Sequence, residues 1–150
     1  MKQIIQKSIF LFAVMAALVS FTPLGGEGFE IYLNNKVVLQ QFGKDMDQLK
    51  SLKLTHAFAD DNLVVKYHHC GKVSKNRMIA IKDANNKTLK EWRFADVGTP
   101  FSAMQCKVKD IISLSKKDVT ELRLFYTSSE LPAGRQLTSI VVESSNLAVR

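Results

Sequence analysis

The 150-residue chain has two cysteines, three prolines, three histidines and one tryptophan. With so few candidates, several chemistries drop out. There is no C-x-x-C pair for dithiol redox work and no paired-cysteine spacing for a structural zinc site. There is no G-x-S-x-G elbow to present a serine nucleophile. Blocks of like charge are also missing, although the chain is basic overall at +7, so alternating charges read first as solvated faces. One long apolar run, Ser8 to Phe21, is shorter than the roughly 20 residues that a membrane-crossing helix needs. No stretch combines lysines with interleaved stacking aromatics, which disfavours nucleic acid as a partner.

What is present begins with an address. Lys2 and Lys7 precede the apolar run, and Pro23, Gly25 and Gly26 follow it. A basic segment, an apolar segment and then helix breakers are the order of a secretory signal peptide. Residues 1–22 are read this way, with cleavage between 20 and 28. An uncleaved N-terminal anchor is the competing reading. The implied location is secreted or periplasmic, with no transmembrane span in the mature protein. The remaining length suits one domain with a real core, set here at 28–143, followed by a flexible tail at 144–150.

The mature part consists of short runs rich in Val, Ile, Leu, Phe and Tyr, separated by polar turns, which is the pattern of an all-β domain. Asn-Asn pairs tolerate the left-handed backbone of tight hairpins. In "FEIYLNNKVVLQQF", Asn34-Asn35 joins two strands. In "RMIAIKDANNKTLKEWRFAD", a two-residue turn at Asn85-Asn86 pairs Ile79 with Trp92 and Ile81 with Lys90. That register gathers Ile79, Ile81, Trp92 and Phe94 on one face, whereas a one-residue slip splits the set. Further strands are expected at 52–56, 62–70, 103–108, 121–128 and 135–143, the last two joined around "SELPAG". "DIISLSKKD" is either a bent edge strand or a short helical turn. Seven or eight antiparallel strands fit a two-sheet sandwich best, with a small β-barrel as second choice.

"YHHCG", "IAIKDANNKTLKEWRFAD" and "CKVKDII" resemble segments of small secreted bacterial all-β proteins that have no assigned activity. The resemblance covers most of the mature chain. It implies a secreted single domain and brings with it no cofactor and no site residues.

The stretch "VVKYHHCGK" holds the most chemistry per residue. Neighbouring side chains on a strand point to opposite faces, so His68 and His69 are poor partners for one copper or zinc ion. His56, the third histidine, falls far from both if 52–56 and 62–70 form a simple hairpin. An even cysteine pair in an oxidising compartment reads as a disulfide, so Cys70–Cys106 is expected. It would close a loop worth about 3–4 kcal/mol and leave no thiolate for a metal. Oxygen-bearing loops at Asp60–Asn62 and Asp83–Asn86 read as Asx turns before they read as calcium sites.

If the two sulfurs join, they also draw together Lys72, Lys75, Arg77, Lys107, Lys109, Lys116 and Lys117. Such a patch suits an anionic glycan, a lipid headgroup or an envelope protein, while lysines guarding a sheet edge are the plainer explanation. Tyr32 and Phe125 are the candidate exposed rings, and Trp92 belongs to the core. The functional expectation is therefore a non-enzymatic binding or structural module with a basic edge and no cofactor. The alternatives are a periplasmic copper/zinc-binding protein using His68 and His69, or a small secreted hydrolase.

Overall fold

The computed structural model describes residues 26–115 and 121–143. Residues 1–22, read from the sequence as a signal peptide, together with Lys116, Lys117 and residues 144–150, lie outside these residues. Among the described residues, nine strands and one short α-helix follow in order: β1 Gly28–Leu33, β2 Lys36–Phe42, β3 Ser51–Thr55, β4 Asn62–His68, β5 Met78–Lys82, β6 Thr88–Arg93, β7 Met104–Lys107, α1 Val108–Ile112, β8 Glu121–Ser128 and β9 Leu131–Glu143. They form a four-stranded sheet in the order β2-β1-β4-β7 and a five-stranded sheet in the order β3-β9-β8-β5-β6. This is the expected all-β sandwich, and neither sheet closes into a barrel.

The first hairpin turns at Asn34 and Asn35, with φ of 50° and 61°, the doubly left-handed geometry that Asn accepts at low cost. The ladder is not regular throughout. Ile31 pairs with Leu39 but Tyr32 with Val37, so Val38 is an extra residue on β2. The bulge sets Leu39 opposite Ile31 and Phe42 opposite Gly28.

The second hairpin keeps the expected pairs Ile79–Trp92 and Ile81–Lys90. Its turn differs. Asp83 N–H donates to Lys87 O, and Asn86 N–H donates to Asp83 O. Asp83 Oδ1 accepts from the N–H groups of Asn85 and Lys87, and Asn86 alone is left-handed, with φ of 61°. The loop is thus one residue longer than a two-residue turn. Lys82 pairs with Thr88, which leaves Leu89 unopposed as a compensating bulge packed on the core. The β8–β9 turn is tighter than expected: Ser128 pairs with Leu131 across Ser129 and Glu130. The slack of "PAG" is taken up beyond the turn, where Gly134 has φ of 72°.

β3 contradicts the simple hairpin with β4. It joins the other sheet and runs parallel to β9, with Leu52 beside Ile140 and Leu54 beside Val142. The Lys50 carbonyl pins this junction, accepting from Thr138 Oγ1 at 2.8 Å and Ser139 N–H at 3.2 Å. A short 3-10 turn, His56–Phe58, then returns the chain to β4. "DIISL" resolves as the helical alternative. Val108, Ile111 and Ile112 of α1 are buried at i, i+3 and i+4, and Asp110 reaches Lys90 of β6 at 3.0 Å.

Alternation decides the rest. Phe29, Ile31, Leu63, Val65, Met104 and Cys106 face inward from the first sheet, and Ile79, Ile81, Leu122, Leu124, Leu137 and Ile140 from the second. Each such aliphatic burial contributes about 1.5–3 kcal/mol before entropy is counted. Trp92 and Phe94 border this core half-buried. Among the described residues, no helix is long and apolar enough to cross a membrane.

Candidate functional site

The end of β4 carries the histidines to opposite sides, as pleating requires. His69 follows Tyr67 on the inner side, its ring 4.6 Å from the Tyr67 ring. His68 lies outward between Phe42 and Phe101, at centroid distances of 5.5 Å and 4.9 Å. The two imidazoles therefore share no ion, and a metal centre built on His68 and His69 is set aside. His56 is exposed at the far end of the sandwich. Among the described residues, no three His, Cys, Asp or Glu side chains converge as a metal site.

The expected disulfide is corrected by the same ladder. Cys106 pairs with Leu63 on β4, and Cys70 lies seven positions further along. At about 3.3 Å per residue that is roughly 20 Å, far beyond a disulfide's Cα reach of about 7 Å. Both thiols are free, Cys106 buried and Cys70 exposed. Burial first, and Asp110 second, push the Cys106 thiol up to about 12, against Lys90. Cys70 and Gly71, with φ of 51° and 81°, form a tight turn closed by Lys72 N–H on His69 O at 3.0 Å.

Around His69 the mouth between the sheets holds a polar network. His69 Nε2 lies 3.1 Å from the Tyr126 hydroxyl and 3.4 Å from Ser128 Oγ. The Tyr126 and Tyr67 rings stack at 4.2 Å. Tyr67 donates to Glu27 Oε1 at 2.6 Å, and Glu27 Oε2 meets Arg135 at 3.5 Å. Burial lowers the His69 pKa, reinforced by Lys72 and opposed by Glu130 and Glu27. Burial also raises Tyr126, against the polarity of the Ser74 and Ser128 hydroxyls and the Arg77 charge. Burial and then the Glu27 hydrogen bond hold the Tyr67 phenol above its usual range. Outside this network opens a shallow cleft of about 340 Å³, lined by Glu27, His69, Cys70, Lys72 and Glu130. Chemically it offers a neutral imidazole beside a serine hydroxyl, with carboxylates nearby. Ser128 itself is buried.

The basic residues do not form one patch, because no bridge draws them together. Lys72 and Lys75 follow the end of β4, whereas Lys107 pairs with Asn62 at its start. Arg77 leaves the set altogether. It is buried, and its guanidinium donates to Ser102 O at 3.0 Å and Ala95 O at 2.8 Å, fastening the loop after β6. Lys116 and Lys117 lie outside the described residues. Lys107 and Lys109 remain together, both exposed. They line a polar cleft of about 310 Å³ with Ala59, Asp60 and Asn62. Backbone bonds from Val108 N–H to Asp61 O and Lys109 N–H to Ala59 O fix its walls.

The candidate rings change as well. Tyr32 and Phe125 are each covered by an ammonium group, Lys66 at 4.8 Å and Lys82 at 4.3 Å. Among the described residues the most open rings are Phe42 and Phe101, at 41% and 53% exposure, with Phe58 also exposed on the 3-10 turn. Sequence reasoning missed both. Phe101 sits in an irregular loop with no periodicity to orient it, and Phe42 is turned outward only by the bulge at Val38. The available signal was Gly28, a strand glycine over which an aromatic ring can lie. A Cβ there would collide with the Phe42 ring at Cδ1.

No protein-family model and no curated protein matches this chain. The geometry therefore carries the functional argument alone.

Proposed function

We propose that the chain is a non-enzymatic, secreted or periplasmic binding module that holds an anionic group at the β4–β7 end of its four-stranded sheet. The signal-like N-terminal segment supports the location. The observation that carries the binding role is the Lys107–Lys109 cleft, where two ammonium groups and the Asn62 amide border one polar concavity. Asp60 beside them keeps the net charge modest, which suits reversible, salt-sensitive contact. Retention on sulfonated polystyrene should fall with added salt and drop further in K107E/K109E. Equal retention of wild type and double variant would reject the cleft as the contact.

A second reading, a small hydrolase, is favoured by the 3.4 Å approach of His69 Nε2 to Ser128 Oγ beside an open cleft. A base within reach of a hydroxyl is the first requirement of nucleophilic catalysis. Nitrophenyl-ester hydrolysis that disappears in Ser128→Ala would establish it, and an unchanged rate would eliminate it.

A further inference from the structure

The outer face of the four-stranded sheet joins two features that the sequence keeps apart. At one end, Phe42, His68 and Phe101 form an aromatic cluster with both phenyl rings exposed. Gly28 provides the floor on which the Phe42 ring lies. At the other end are Lys107 and Lys109. The two ends belong to one surface, because His68, Lys66, Val64 and Asn62 project outward along β4, and Lys107 pairs with Asn62. From His68 to Asn62 is about 20 Å at strand rise.

Between the ends, Val64 and the exposed Val37 are apolar, while the remaining residues are polar and already oriented. Tyr32 donates to Glu30 Oε2 at 2.7 Å, and the same carboxylate oxygen stands 3.7 Å from His68 Nε2. Lys66 reaches across to the Tyr32 ring. Gln105 is exposed beside Val64.

We infer that this face is a track for an acidic oligosaccharide, a reading that rests on the anionic contact proposed above. Sugar rings present apolar C–H faces that stack on exposed aromatic rings. Their hydroxyls need fixed donors and acceptors such as Glu30, Lys66 and Gln105. Their carboxylate or sulfate groups need ammonium partners. The face supplies all three in that order, over the length of several sugar units. A protein partner would match the apolar end, yet it would not require a polar middle with a basic terminus. A free anion would use the lysines and ignore the rings.

The test uses the mature protein and calorimetric titration with four probes: two acidic hexasaccharides (galacturonate and hyaluronan), neutral maltohexaose, and polyphosphate. At least one acidic hexasaccharide should bind at least tenfold more tightly than maltohexaose. Phe101→Ala, at an exposed loop position that leaves the core intact, should weaken that affinity tenfold or more and leave polyphosphate binding unchanged. K107E/K109E should weaken both. If neither acidic hexasaccharide binds, or if Phe101→Ala leaves sugar affinity intact, the track is overturned while the anion contact stands. If K107E/K109E leaves polyphosphate affinity unchanged, the anion contact fails, and the track fails with it.

Discussion

Cys106 stands opposite Leu63 across the β4–β7 ladder, and Cys70 lies beyond the far end of the same strand. The fold thus holds its two sulfurs at opposite ends of one sheet, one buried and one exposed. Alkylation of the native protein should label Cys70 rapidly and Cys106 only after unfolding. The reasons are that only Cys70 is accessible, and that the thiolate is the reactive species while burial disfavours it at Cys106. Peptide mass spectrometry reads this directly. A Cys70–Cys106 disulfide-linked peptide from native protein would rule out the Cys106–Leu63 register.

Arg77 supports the loop after β6 through two carbonyls. Arg77→Ala leaves both acceptors without their donor and should cost about 2–4 kcal/mol in urea unfolding. Arg77→Lys should recover little, since one ammonium does not reproduce a fork that spans two carbonyls. Full recovery by lysine would mean that charge, and not geometry, is what the site needs.

His69 predicts a pH dependence. Its folded pKa is depressed by burial, so the unfolded chain binds its proton first as pH falls. The stability it contributes is complete above the unfolded value of about 6.5 and is lost as pH drops through the folded value. The melting temperature should decline between pH 7 and 5, and the decline should be shallower in His69→Gln. Parallel profiles for the two proteins would assign the dependence to other groups.

Gly28→Ala perturbs the outer face without replacing any ligand-facing side chain. The new methyl takes the space under the Phe42 ring and also crowds Gln41 O at 2.9 Å. The exposed ring should swing away at a cost of about 1–2 kcal/mol. Binding of acidic hexasaccharide should weaken as it does in Phe42→Ala. Normal affinity in both variants would show that Phe42 is not part of the surface.

Local features were readable in the chain because local chemistry causes them. Asn34-Asn35 marks a hairpin through the left-handed backbone it tolerates, and the Ile79–Trp92 register follows from keeping four apolar side chains on one face. Alternation alone placed His68 and His69 on opposite sides. The bulges were not legible. Val38 and Leu89 are ordinary strand residues, and the extra position appears only when both strands are laid against a core. With Val38 extra, Leu39 goes inward and Phe42 goes outward, so one of the two rings flanking His68 depends on one unpaired residue.

The sequence by itself determined the strand-forming pattern, the all-β class and the two Asn-Asn hairpins, since each depends on the alternation and turn chemistry of a few neighbouring residues. Only the tertiary structure decided that β3 joins β9 in parallel, that the two cysteines stay apart, that Arg77 is a buried clamp, and that the open phenyl rings share a face with Lys107. These are relations between segments far apart in the chain. Burial against both sheets at once fixes them, and no local pattern encodes that condition.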